Sequence, residues 1–395
     1  MHFHPGISRT STLHSREFQE LYRRLLFGLL GFCVYSSSIA LEVLDSERHT
    51  FEVSILSDEL DQPWGLAFLP SGNMLVTEKP GTLKLLGKGG KTIATLPKIP
   101  DVTLKGQGGL MGIAIHPDFA SNRRIYLSYA AGGWRGHGTE VISAVLKNDG
   151  LTGFRKLFTA RAKSRGGNHF GSRLIFAGDG TLYVSLGDRG SKDSAQDLDD
   201  HRGSLVRLTD AGKIPPDNPF IDTRGARPEI FSYGHRNMQG MALHPFTGEI
   251  WTHEHGPQGG DEINVNRPGR NYGWPVITYG VNYGIGTSIG EGTHKDGMEQ
   301  PLYKWVPSIA PSGMAFYSGE VFPKWKGNLF VGSLKFASLV RLELDGEKVI
   351  HEERLLSNRF GRIRDVVSGP DGNIYLLTDG SNGKLICISF PGKDN

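Results

Sequence analysis

Two polar, glycine-rich stretches hold the residues whose types could move protons or bind ions. Residues 167–174 place His169 between glycines, and residues 235–237 join an imidazole, a guanidinium and an amide ahead of the acidic stretch 254–264. An imidazole in a loop can act as a general base near neutral pH. Both stretches adjoin strand-like runs, and loops anchored to strands often carry catalytic groups. Taken alone, His169 also fits a structural loop histidine, because the chain has 14 histidines.

Several cationic or amide side chains stand where later strand pairs begin or end. Arg236 and Asn237 precede one pair, Lys335 follows another, and Arg362 and Arg364 open the last. Arginine forks bind carboxylates through two parallel hydrogen bonds. If the loops of one face converge, these residues predict a site for an anionic ligand. Ordinary surface charge is the alternative for each residue separately.

The acidic stretch offers oxygen donors of the kind that Ca²⁺ prefers. Gly256 and Pro257 could supply backbone carbonyls, Asp261 and Glu262 are adjacent carboxylates, and Tyr272 follows. Their spacing matches no EF-hand, so a solvated acidic turn is the alternative interpretation.

The elements that must position these residues recur along the chain. An apolar strand, a turn and a second apolar strand appear six times, and the turns are mostly Gly-containing ones that suit hairpins. Repeats of this length with several strands each are typical of β-propeller blades, so we predict an all-β, six-bladed β-propeller without long helices. Two β-sandwiches would not explain the recurring cassette. The first strands of the six units begin at Pro63, Gly109, Arg173, Gly240, Gly313 and Arg364.

The composition is that of an ordinary globular protein with an unusual number of glycines. The chain has 395 residues, of which 38% are hydrophobic and 54 are glycine, so a large core and many tight turns are expected. The net charge of +3 gives no support for a nucleic-acid partner.

Residues 1–40 are predicted to be a secretory signal peptide. Arg23 and Arg24 precede a short apolar run, and a small-residue cleavage pattern ends at Ala40. An uncleaved membrane anchor is the alternative, although the run is short for a bilayer. The prediction leaves residues 41–395 as one catalytic propeller domain, periplasmic or secreted from a Gram-negative bacterium and not inserted in the membrane. Cys33 would be removed, so Cys387 would have no disulfide partner.

The motifs in order resemble those of the soluble pyrroloquinoline quinone (PQQ)-dependent sugar dehydrogenases, most closely the bacterial periplasmic aldose sugar dehydrogenase branch. The resemblance covers roughly residues 63–388, which is nearly all of the predicted mature chain. The matching stretches are residues 106–112, 116–119, 168–174, 195–198, 234–237, 254–274, 282–284 and 361–365.

The resemblance implies oxidation of aldose sugars at C1 to aldonolactones, with hydride transfer to the quinone. His169 would be the general base, and Arg236 would stabilise developing charge on oxygen. The electron acceptor would be an unidentified quinone or cytochrome. The residues that the resemblance assigns to the quinone are Gln107, Arg236, Asn237, Tyr283, Lys335, Arg362 and Arg364.

The resemblance also implies two Ca²⁺ ions. The carbonyls of Gly256 and Pro257 would hold the catalytic ion, which acts as a Lewis acid on the quinone. Glu262 and Tyr272 would hold a second, structural ion.

Some positions depart from the family pattern. Asn168 stands where the glucose-specific branch has an acid, which weakens any expectation of glucose selectivity, and Met238 stands where proline is common. The loops at residues 191–200 and 284–297 have no clear counterpart and are expected to shape the sugar pocket.

Two other functions fit a propeller. A Ca²⁺-dependent lactonase would need an acid-rich metal site at the channel floor, whereas the candidates here are mainly cations. A non-catalytic binding propeller would be expected to lose some of His169, Arg236, Lys335 and Arg364, and all four are present.

Overall fold

The computed structural model describes residues 1–3, 41–148, 150–161 and 163–392. These residues form 25 strands in six antiparallel sheets, with one short α-helix, α1 (Phe119–Asn122), and two 3-10 turns. Nearly all of the predicted signal peptide lies outside the described residues. No helix in the described part of the chain is long and apolar enough to cross a bilayer.

The first three blades follow one another along the chain, each as a four-stranded antiparallel meander. The turns between strands are short in blade one, whereas blade three has longer connections. Blade one contains β3 (Pro63–Phe68), β4 (Met74–Glu78), β5 (Thr82–Leu86) and β6 (Thr92–Leu96); blade two contains β7 (Leu110–Ile115), β8 (Arg124–Gly133), β9 (Gly136–Lys147) and β10 (Gly150–Thr159); blade three contains β11 (Leu174–Phe176), β12 (Leu182–Ser185), β13 (Ser204–Leu208) and β14 (Ile230–Tyr233).

The last three blades repeat the plan, except that the sixth takes strands from both ends of the sequence. Blade four contains β15 (Met238–Leu243), β16 (Ile250–Glu254), β17 (Asp261–Asn266) and β18 (Tyr303–Trp305); blade five contains β19 (Pro311–Phe316), β20 (Leu329–Ser333), β21 (Ser338–Asp345) and β22 (Lys348–Leu355); blade six contains β23 (Ile363–Ser368), β24 (Ile374–Thr378) and β25 (Gly383–Ser389), with β2 (Thr50–Leu60) and β1 (Leu41–Asp45) added outside β25.

The first strands of the blades form a closed ring. β3 contacts β7, β7 contacts β11, and the contacts continue through β15, β19 and β23 back to β3. This closure confirms the predicted six-bladed β-propeller and excludes two β-sandwiches. A single blade is a sheet that cannot bury both of its faces alone, so stacking neighbouring blades creates the core.

The ring is held closed by pairing between the two ends of the domain. Val53 of β2 pairs with Ile388 of β25, and Ser54 pairs with Cys387. The Phe51 and Val53 side chains are buried in one cluster with Trp325 of blade five. Cys387 is buried and free, so packing and strand pairing hold this closure.

A buried ion pair crosses the ring axis. Arg173 Nη1, just before blade three, lies 2.7 Å from Asp365 Oδ1 in blade six. The other carboxylate oxygen accepts the Leu66 N–H of blade one at 3.0 Å. The Arg173 guanidinium also stacks 4.1 Å from the Trp64 ring centroid. Residues from three blades therefore fix one another at the axis.

Two long loops extend the blades, as the sequence predicts for the intervals in blades three and four. Residues 209–229 connect β13 to β14, and residues 267–302 connect β17 to β18. The second loop carries Tyr272, Trp274 and Tyr283, which contribute to the candidate site.

Candidate active site

His169 occupies a loop that leads into the first strand of blade three. Its backbone lies in the left-handed region with φ of 53°. The His169 N–H donates to Gln107 Oε1 at 2.7 Å, and the nearby Gly171 N–H donates to Asn237 Oδ1 at 3.1 Å. Blades two and four therefore hold the His169 loop through two residues that the sequence also singled out.

Asp188 orients the His169 ring, and the sequence analysis missed it. Asp188 Oδ1 lies 2.6 Å from His169 Nδ1 and accepts the Gly190 N–H at 2.7 Å, while Oδ2 accepts the Trp274 indole N–H at 2.9 Å. Burial by itself would raise the pKa of the Asp188 carboxyl, but the hydrogen bond and charge of His169, the Gly190 N–H and the Arg236 charge outweigh it and lower that pKa. An ionised Asp188 keeps the proton on Nδ1 and leaves the Nε2 lone pair available, as in a catalytic triad.

Asp188 follows Gly187, just after the end of β12 in blade three. This position at a strand end is the signal that could have located it. Polar residues at strand ends of one propeller face share a site, and the His169 loop lies on that face.

Arg236 is buried beside the same carboxylate. Its carbonyl accepts the Asp188 N–H at 2.8 Å, and its own N–H donates to Glu254 Oε2. The guanidinium Nη1 donates to the carbonyls of His255 at 3.0 Å and Gly256 at 2.7 Å. A fixed positive charge therefore lies where the loops of blades three and four meet.

A cavity of 330 Å³ is lined by cations from blades one and six. Arg364 Nε and Nη2 both donate to Asp379 Oδ1 at 3.1 Å, and Arg362 Nε donates to Asp379 Oδ2 at 3.0 Å. Gln107 lines the same cavity, as does Lys79, which the sequence analysis did not select. Three cations face one carboxylate, so the cavity carries a net positive charge.

A wider cavity of 790 Å³ adjoins the first one and shares Arg362 with it. Gly256, Pro257, Tyr283 and Lys335 line it. The Tyr283 side chain is 68% exposed, so it stands at the rim. The structure thus brings Gln107, Arg362 and Arg364 together in one cavity and Gly256, Pro257, Tyr283 and Lys335 in the adjoining one.

Asp261 braces the Gly256 loop. Its Oδ1 accepts the Gly256 N–H at 2.9 Å and the Ser308 hydroxyl at 2.7 Å. Its Oδ2 accepts the Ile309 and Ala310 N–H groups, each at 2.8 Å. Four donors therefore bind this carboxylate, which links the Gly256 loop to residues 308–310 and has a structural role.

Glu262 and Tyr272 line one small cavity together with Arg236. Glu262 pairs with Glu254 across β16 and β17, so the two carboxylates lie on one face. Burial and, after it, the Glu254 charge raise the pKa of Glu262 well above its usual value. Both acids and Tyr272 line a small cavity of 10 Å³ beside Gly256. The Tyr272 hydroxyl donates to the Val265 carbonyl at 2.6 Å, which leaves the Tyr272 backbone carbonyl as its candidate ligand atom.

In the described part of the chain, no three His, Cys, Asp or Glu side chains are grouped so as to hold a metal ion. A cation bound here would therefore need backbone carbonyls as well as carboxylates.

The chain is similar to proteins of known class over nearly its whole length. The family model for glucose/sorbosone dehydrogenase matches residues 60–387. The aldose sugar dehydrogenase YliI of Escherichia coli (strain K12) is 48% identical over 345 residues, which cover 86% of this chain and 93% of that protein.

Solved structures give the same result. The apo-form of the soluble aldose sugar dehydrogenase from Escherichia coli aligns with a TM-score of 0.83 at 47% identity, over 86% of this chain and 99% of that chain. The PQQ-bound form of an aldose sugar dehydrogenase from Streptomyces coelicolor aligns with a TM-score of 0.72 at 27% identity, over 89% and 98%. The chain therefore belongs to the glucose/sorbosone dehydrogenase family, which confirms both the family predicted from the motifs and the enzyme class, a sugar dehydrogenase.

Proposed function

We propose that this protein oxidises aldose sugars at C1 to aldonolactones, using PQQ and Ca²⁺. The observation that carries the proposal is the His169–Asp188 pair, whose loop is held by Gln107, a residue that lines the cationic cavity. The names of the relatives support it, because one is an aldose sugar dehydrogenase and another structure holds PQQ.

The residues present fit a planar, tricarboxylated quinone. Arg362 and Arg364 share one carboxylate, so each keeps donors available for a second anion. The Lys335 ammonium is exposed at the adjoining cavity, and Asn237 Nδ2 is a buried donor with no protein partner. Buried polar groups are normally satisfied, so an unpaired donor beside His169 supports a ligand acceptor there. Gln107 and Tyr283 complete the proposed set.

The Ca²⁺ assignments rest on oxygen chemistry. The Gly256 carbonyl receives one hydrogen bond from Arg236, and a carbonyl oxygen has two lone pairs, so it retains capacity for a cation together with the Pro257 carbonyl. At the second position, a cation between Glu262 and the Tyr272 carbonyl would relieve the repulsion between Glu262 and Glu254. Both positions suit the hard oxygen preference of Ca²⁺.

The bound cofactors would supply the hard chemistry, with the quinone accepting a hydride and Ca²⁺ acting as a Lewis acid. The protein supplies the rest. His169 Nε2 takes the proton of the anomeric hydroxyl, while Asp188 stabilises the imidazolium that forms. Arg236 presents a fixed positive charge near the atoms where negative charge develops. The fixed donors need no reorganisation when the reaction occurs.

The location and partners follow from the same proposal. Residues 1–40 would direct the chain to the periplasm and be removed, leaving 41–395 as a single catalytic domain. Aldose sugars would be the substrates, and a quinone or cytochrome would reoxidise the cofactor.

Absorption spectroscopy tests the proposal directly. Adding PQQ and Ca²⁺ to the purified protein should change the quinone spectrum, and adding an aldose should then produce the spectrum of the reduced cofactor. A sample without aldose controls for spontaneous reduction. Failure to bind PQQ would overturn the proposal. Hydrolysis of a lactone without oxidation of an aldose would also overturn it and would favour the lactonase.

A further inference from the structure

Arg189 follows Asp188 and has an unusual environment. Its side chain is buried, and its backbone lies in the left-handed region with φ of 56°. Few residues other than glycine adopt this conformation, because it brings the side chain against the backbone. Strained backbone of this kind persists where the surrounding structure enforces it, and it concentrates at functional sites. His169 itself has the same rare conformation, with φ of 53°.

The Arg189 side chain contacts the His169 loop both before and after the histidine. Its Nη2 donates to the Gly166 carbonyl at 2.6 Å. Its guanidinium carbon lies 3.4 Å from the centroid of the Phe170 ring, the residue directly after His169. The Arg189 carbonyl also accepts the Ser164 hydroxyl at 3.3 Å. One side chain and its backbone therefore contact the loop before and after the imidazole.

Within the part of the chain that the structure describes, this buried cation forms no salt bridge, and the Nε and Nη1 atoms of Arg189 are buried without a protein acceptor. The neighbouring Asp188 carboxylate is engaged by His169, Gly190 and Trp274 instead. Burying an unpaired charge is unfavourable, so stability alone does not explain an arginine here.

We propose that Arg189 is a positioning residue for catalysis, which holds the loop around His169 so that the imidazole faces the substrate hydroxyl. The inference rests on the proposed function of His169 as the general base. Asp188 sets the tautomer and the tilt of the ring, whereas Arg189 sets the path of the backbone that carries it. Small displacements of a reacting group lower turnover strongly, by about 10²-fold for a shift on the order of 1 Å.

Arg189→Ala and Arg189→Lys test the proposal in the full-length protein loaded with PQQ and Ca²⁺. For Arg189→Ala we expect kcat to fall by about 10²-fold. KM for the aldose and the affinity for PQQ, measured by absorption titration, should change little. Added guanidinium should restore part of kcat by occupying the vacated space, whereas methylammonium should not. Arg189→Lys keeps the charge without the planar contact, so its kcat should lie between those of the wild type and Arg189→Ala.

Arg341→Ala provides the matched control, because Arg341 is a fully buried arginine in blade five that pairs with Glu353 at 2.7 Å. It should lower the melting temperature without changing kcat per bound PQQ, and guanidinium should not raise its kcat.

Three results would overturn the inference: unchanged kcat in Arg189→Ala, loss of PQQ affinity in parallel with kcat, or equal rescue by methylammonium. If Arg189→Ala does not fold, Arg189→Lys decides, and a wild-type kcat in that variant overturns the inference. A wild-type rate in His169→Ala would instead overturn the role of His169 on which the inference depends.

Discussion

His169 Nδ1 lies 2.6 Å from Asp188 Oδ1, and this contact joins two loops of blade three. The carboxylate can only accept when ionised, so the imidazole donates from Nδ1 and keeps its lone pair on Nε2. The contact converts an ordinary loop histidine into a base of defined orientation.

His169→Ala removes the proposed base. We expect PQQ binding to remain nearly unchanged, while kcat falls by a factor of about 10²–10⁴ because the anomeric proton has no acceptor. Steady-state kinetics with a dye acceptor and absorption titration of PQQ measure the two quantities. Aldose oxidation at the wild-type rate would show that another group takes the proton.

Asp188→Asn tests the tautomer while preserving the shape of the side chain. Its amide can present an N–H to His169 Nδ1, which favours the proton on Nε2 and blocks the base. We expect kcat to fall by about 10²–10⁴-fold, as for the comparable change in a catalytic triad. Unchanged kcat would argue against the orienting role.

Removal of Ca²⁺ should abolish activity, and Ca²⁺ with PQQ should restore it. The reason is that Gly256, Pro257, Glu262 and Tyr272 offer mainly oxygen donors. Activity is measured after prolonged treatment with chelator and dialysis, and elemental analysis must show that the ion has left. Full activity in protein proven free of metal would exclude a catalytic ion.

Substrate specificity is expected to be broad. Asn168 is exposed next to His169, and discrimination among epimers depends chiefly on buried polar groups left unpaired by the wrong sugar. Hexoses, pentoses and disaccharides should all be oxidised, with weak apparent binding. Kinetics over an aldose panel measure this, and a preference of about a thousandfold for one sugar would contradict the prediction while leaving the PQQ assignment intact.

Acid should weaken the packing of His49 against blade five. Burial and then the charges of Lys324 and Arg341 lower the pKa of His49. The Lys324 N–H donates to His49 Nε2 at 3.0 Å, which requires a neutral ring. Below a pH of about 6.5 the unfolded chain takes up a proton that the folded chain resists, so stability falls as the pH falls.

His49→Gln keeps a hydrogen-bond acceptor for the Lys324 N–H but removes the imidazole that takes up a proton. The difference in melting temperature between about pH 7.5 and pH 5.5 should be smaller in this variant than in the wild type. An equal difference in both proteins would assign the acid sensitivity to other groups.

The sequence predicted the blades well because each is a local unit. A strand, a short turn and a second strand leave a pattern within about twenty residues, and Gly72, Gly180 and Gly372 adopt the positive φ that their turns require. Pairing between β2 and β25 left no such pattern, because it joins segments more than three hundred residues apart, as Val53 and Ile388 show.

The candidate site was predicted in part for the same reason. His169, Arg236 and Arg364 stand out as chemical residues at strand ends. Asp188 and Arg189 do not, because their importance arises from contacts with a loop about twenty residues away. Neither an ion pair nor a cation–π contact across loops has a fixed sequence spacing.

The pairing of β2 with β25 also determines when the domain can become complete. β2 is synthesised more than three hundred residues before its partner strand β25. If the chain is exported as the proposed signal peptide implies, β2 crosses the membrane before β25 does, and the ring cannot close until both strands have crossed. Conversely, loss of β25 would uncover edges on both β2 and β24, and exposed strand edges promote aggregation. Completion of the ring therefore requires the segment that carries β25 to reach the same compartment as the segment that carries β2.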